Sequence, residues 1–99
     1  MALRVKLRDE ALADLESISN YISQFDSAAA DRVIQRVHTA IHRTLTQIPS
    51  AGRMNVEGTA REYPVPGLPY LVLYVATAEL IDVVGVFHSS KNPTDKPKP

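Results

Sequence analysis

The chain has 99 residues and no cysteine, and its eleven Lys and Arg balance its eleven Asp and Glu. That length allows one domain with one modest core, and the missing thiols exclude disulfides, thiolate metal sites and cysteine nucleophiles, as a reducing cytoplasm permits. A formal charge of zero excludes the strongly basic field of DNA-wrapping or polybasic membrane proteins.

Arg4–Leu7 reads as a short first strand. Residues 1–16 are too charged for the apolar stretch of a signal peptide. Residues 9–48 carry helical periodicity. Leu12, Leu15, Ile18, Ile22 and Phe25 recur at steps of three and four, one face of a helix, with Asp14, Glu16, Ser17 and Ser23 opposite. Asp9 is the expected N-cap. A break at 24–27 follows, and Asp26 or Ser27 is placed to cap a second helix ahead of Ala28, Ala29 and Ala30. Val33, Val37, Ile41, Leu45 and Ile48 continue its stripe at steps of four, four, four and three. Pro49 and Gly52 end it. Two helices joined this closely form an antiparallel hairpin.

From residue 60 the texture changes to strand. Pro64, Pro66, Gly67 and Pro69 punctuate the region, and 70–76 and 80–87 are rich in Val, Ile, Leu and Tyr. The longest apolar run, 70–76, is far short of a membrane span. Thr77, Ala78 and Glu79 suit a hairpin turn. Strict alternation puts Asp82, Val84, Val86 and His88 on one face of the last strand and Ile81, Val83, Gly85 and Phe87 on the other. Both faces are then apolar, so either a partner or the chain's own loop 49–60 or tail covers the second. The order predicts an α+β two-layer domain, an N-terminal strand and helical hairpin packed on a small antiparallel sheet. This single domain spans 1–90, and a polar, Pro-rich tail follows over 91–99, where Lys91, Lys96 and Lys98 outnumber Asp95.

The segments EALADLESISNYI, AAADRVIQRVHTAI, LTQIPSAGR, REYPVPGLPYLVLY and IDVVGVFHSSKNP come in an order that resembles the ParE/RelE toxin superfamily of bacterial type II toxin–antitoxin pairs, from about Val5 to Pro93. The resemblance implies the fold read above and a cytoplasmic toxin neutralised by a cognate antitoxin. The superfamily holds two chemistries. RelE-like members cleave messenger RNA on the ribosome, using cations on the sheet, notably the Arg of an Arg-Leu-Val-Tyr stretch. Here the matching stretch is Leu71-Val72-Leu73-Tyr74, and Leu71 cannot stabilise an anion. Ser89, not Tyr, follows His88. The Gly67-Leu68-Pro69-Tyr70 lead and the short His88-Ser89-Ser90-Lys91 run look more like the ParE branch. That branch blocks DNA gyrase by binding it, with a ParD-like antitoxin as partner and DNA met only through antitoxin or gyrase. The alternatives are a RelE-like ribonuclease using Arg61 and His88, or an inactive relative that only binds antitoxin.

On this reading no residue is catalytic, and Arg53, Arg61, Tyr70, His88 and Lys91 are the target contacts. Each has a plainer role open to it. His88 suits a strand end bonded to a loop. Arg61 suits an ion pair with Glu62, Glu57 or Asp82. Tyr74 suits the core better than an aromatic recognition face with Tyr63 and Tyr70. A disordered antitoxin segment folds only by burying apolar surface, which makes Leu12, Leu15, Tyr70, Val84 and Val86 its expected contacts. His38 and His42 are four apart on the second helix, a spacing that can hold a metal ion. No third ligand accompanies them, so they read as solvated helix surface. No cofactor signature is present: no Gly-rich phosphate loop and no metal-ligand cluster.

Overall fold

A computed structural model describes residues 3–90; the tail 91–99, Lys91 included, lies outside the described residues. Strand β1 (Arg4–Leu7) leads into helix α1 (Asp9–Ser23) and helix α2 (Ser27–Thr39), which runs on as a π-helical segment, Ala40–Leu45. Strands β2 (Arg53–Met54), β3 (Arg61–Pro64), β4 (Tyr70–Ala76) and β5 (Leu80–His88) complete the fold. The sheet order is β1-β5-β4-β3-β2. The sheet is mixed rather than wholly antiparallel: β1 pairs parallel with β5, Arg4 opposite Leu80. A parallel pair needs a long crossover, and the helical hairpin is part of it.

Asp9 does not cap α1. It is the first residue of the helix, after Arg8, which supplies no side-chain cap. Asp9 and Glu10 instead put negative charge where the helix dipole is positive. Asp26 is the cap of α2, its carboxylate accepting from the Ala29 N–H at 3.1 Å. On α1 the inward residues are Ala11, Leu15, Ile18 and Ile22. Leu12 is 49% exposed, and Phe25, beyond the helix end, is 75% exposed with its ring edge-on to Tyr21.

The π-helical segment accounts for the stripe on α2. Val37, Ile41 and Leu45 are wholly buried against Val72, Tyr74, Ile81 and Val83. Steps of four drift off one face of an α-helix by about 40° each, and a wider turn absorbs the drift. The inserted residue also delays everything after it by about 100°. Thr46 therefore turns inward, its hydroxyl donating to the His42 carbonyl at 2.8 Å, and Ile48 turns outward.

A β-bulge corrects the expected faces of β5. Tyr74 pairs with Val83 but Leu73 pairs with Gly85, so Val84 is the extra residue. The alternation flips there. Ile81, Val83 and Val86 all join the core under the helices, while Val84 and Phe87 cluster with Leu73 and Ala60 on the opposite face. That second cluster is already buried, with no member above 7% exposed.

Beyond β1, the outer edge of β5 is closed by α1 rather than by a strand. The Asp14 carboxylate, expected to face water, accepts from the Val86 N–H at 3.0 Å. It stands where a neighbouring strand's carbonyl would be. Gly85 makes room for it, since a Cβ there would lie 3.0 Å from both Asp14 Oδ2 and the Phe87 ring. No helix among the described residues is long and apolar enough to cross a membrane.

Candidate functional site

Two groups of side chains occupy opposite ends of β4. At its C-terminal end, the long connection after the helices is fastened to the sheet. The Tyr74 hydroxyl donates to the Pro49 carbonyl and accepts from the Gly52 N–H, both at 2.8 Å. Burial pushes the Tyr74 phenol above its ordinary pKa, opposed by the Gly52 hydrogen bond and by nearby Arg61. Arg61, the register partner of Tyr74, donates to the Gly52 carbonyl at 2.9 Å. Gly52 is required by this close approach, because a Cβ would lie 2.7 Å from the Tyr74 oxygen. The next turn is held by Asn55. Its side-chain oxygen accepts from the Thr59 and Ala60 N–H groups at 2.9 and 3.3 Å, and its amide donates to the Thr59 hydroxyl. Arg53 projects from β2, exposed, in register with Glu62.

At the other end, Tyr70 and His88 are register partners with ring centroids 5.5 Å apart, edge to face. The Pro66-Gly67 turn ahead of Tyr70 is type II: Val65 accepts from the Leu68 N–H, and Gly67 has φ +76° at the position that demands a positive value. His88 Nδ1 accepts from the Ser90 N–H at 3.1 Å and lies 2.7 Å from its hydroxyl. A neutral ring accepting at Nδ1 carries its proton on Nε2.

The structure therefore brings Tyr70 and His88 together and keeps Arg61 apart from them. Four residue steps along β4, from Tyr70 to Tyr74, separate the two ends, about 13 Å at strand rise. Arg61 does not pair with Asp82, which receives a bidentate ion pair from Arg8 at 2.9 and 3.1 Å. Of the expected antitoxin contacts, Leu15, Val84 and Val86 are taken up by the chain's own core; Leu12 and half-buried Tyr70 keep exposed surface. Among the described residues no group of three or more His, Asp or Glu converges on a metal position. The Tyr74–Gly52–Arg61 lock is the part that the sequence did not disclose. Its one signal was a Pro49…Gly52 break followed, after a gap of 21 residues, by a Tyr in a core strand.

The family model described as the ParE toxin of the type II toxin–antitoxin system parDE matches residues 5–93. The chain belongs to the ParE toxin family. This ParE-family chain is 37% identical over 81 residues to toxin RelE2 of Caulobacter vibrioides, covering 82% of this chain and 89% of the relative. It is 30% identical over 86 residues to the putative toxin Y4kP of Sinorhizobium fredii, covering 87% and 88%. The fold is shared with a solved structure titled chromosomal ParDE TA system from P. aeruginosa, at TM-score 0.74 and 20% identity over 88% of this chain and 96% of that one. The expected superfamily and two-layer α+β architecture are thus found, in a sheet that is mixed rather than antiparallel.

Proposed function

We propose that this ParE-family toxin acts in the cytoplasm by binding DNA gyrase and blocking replication, and that a ParD-like antitoxin neutralises it. The observation that carries this reading is the separation of Arg61 from His88. Metal-free RNA cleavage needs a base, an acid and a cation within hydrogen-bond reach of one phosphate and its 2′-OH. Here Arg61 is bonded to the Gly52 carbonyl at one end of β4 and His88 accepts from the Ser90 N–H at the other. Leu71, between them, has no charge to offer. A binding surface requires no such convergence. Arg53, Tyr70 and His88 are then the target contacts, joined by Lys91, and Arg61 shapes the loop that presents Arg53. Leu12 and Tyr70 remain the antitoxin contacts with surface to bury.

The second reading is ribosome-dependent mRNA cleavage through Arg61 and His88; it is favoured by the name of the 37% identical relative, toxin RelE2. Pulse-labelling after induction in growing bacteria separates the two. Gyrase inhibition stops thymidine incorporation first, with methionine incorporation following later. The reverse order would overturn the proposal in favour of mRNA cleavage.

A further inference from the structure

One pair of side chains has no part in the toxin reading. His38 and His42 stand one turn apart where α2 becomes π-helical, their ring centroids 5.5 Å apart and their planes inclined by only 29°. His42 is exposed and His38 half-buried, so the pair opens to solvent on one side and is steadied on the other. The backbone beneath is held as well, because the Thr46 hydroxyl donates to the His42 carbonyl. Two imidazoles bound to one Zn2+ through bonds of about 2.0–2.1 Å at tetrahedral angles have centroids roughly 5 Å apart. The rings therefore already stand near the spacing that shared coordination needs, and a helix holding them so lowers the ordering cost of binding. Neutral imidazole suits Zn2+, Ni2+ and Cu2+.

We propose that His38 and His42 form a two-histidine site for a divalent transition-metal ion, with water in the remaining coordination positions. An ion bridging the two rings clamps the junction between the α-helical and π-helical turns and stabilises the folded chain by mass action. With two protein ligands the site is exchangeable rather than structural.

The test is a Zn2+ titration of the full, chelator-treated chain, with the imidazole NMR signals of its three histidines followed separately. The signals of His38 and His42 shift together and saturate at one equivalent, while those of His88 stay in place. His42→Ala, a change at an exposed position, removes the response of His38, and His42→Gln does the same. Equal responses from all three histidines, a His38 response that survives both variants, or no response at millimolar Zn2+ would each overturn the site.

Discussion

Single side chains hold the irregular parts of this molecule. Tyr74→Phe deletes one hydroxyl and keeps the ring. It leaves the buried Gly52 N–H without its acceptor and the Pro49 carbonyl without its donor, so urea unfolding should show a loss of about 1–3 kcal/mol. The same variant with unchanged stability would mean that the loop is not anchored there. His38 sets a pH dependence whose sign follows from its burial. Its folded-state pKa lies below the ordinary 6.5, so the unfolded chain takes up the proton more readily. The stabilisation is present above pH 6.5 and is lost as the pH falls through the lower folded value. Thermal melts with a chelator present should show this loss, and His38→Gln should flatten it.

At the scale of elements, the edge of β5 gives a direct test. Asp14→Ala removes the carboxylate that accepts from the Val86 N–H, and amide exchange at Val86 should accelerate far more than exchange in the centre of β4. Asp26→Ala removes the α2 cap and should cost about 0.5–2 kcal/mol. The elements themselves were legible because periodicity is a local property. The run Val33, Val37, Ile41, Leu45 marked a helix. What the period could not show was a change of period. One residue inserted in the helix moved Ile48 out and Thr46 in, and one inserted in β5 moved Val86 to the face of Ile81 and Val83, away from Val84. Asp14 was misplaced for a related reason: a carboxylate on the polar side of a helix reads as solvated until the strand edge beside it is known. The candidate site was readable only in part. Tyr70 and His88 flank a turn and a strand end that sequence locates well, whereas Arg61 and Tyr74 depend on which backbone atoms of a distant loop come to rest against them.

At the scale of the whole molecule, the chain joins a five-stranded sheet to a helical hairpin and holds Arg61 and His88 at opposite ends of β4. In a toxin of the ParE family, that layout fits the proposed action by binding. Exposed contacts should matter more to toxicity than internal charge. Arg53→Gln, which avoids setting a second carboxylate opposite Glu62, should weaken growth arrest roughly tenfold in inducer concentration while the chain still folds. A folded Arg53→Gln variant with full toxicity would remove Arg53 from the contact surface. The measurement that bears most directly on the gyrase reading is a supercoiling assay with purified gyrase, plasmid DNA and toxin freed of antitoxin. Loss of supercoiling together with trapped linear plasmid is the predicted result. Undisturbed supercoiling at toxin concentrations that cut ribosome-bound mRNA would contradict it.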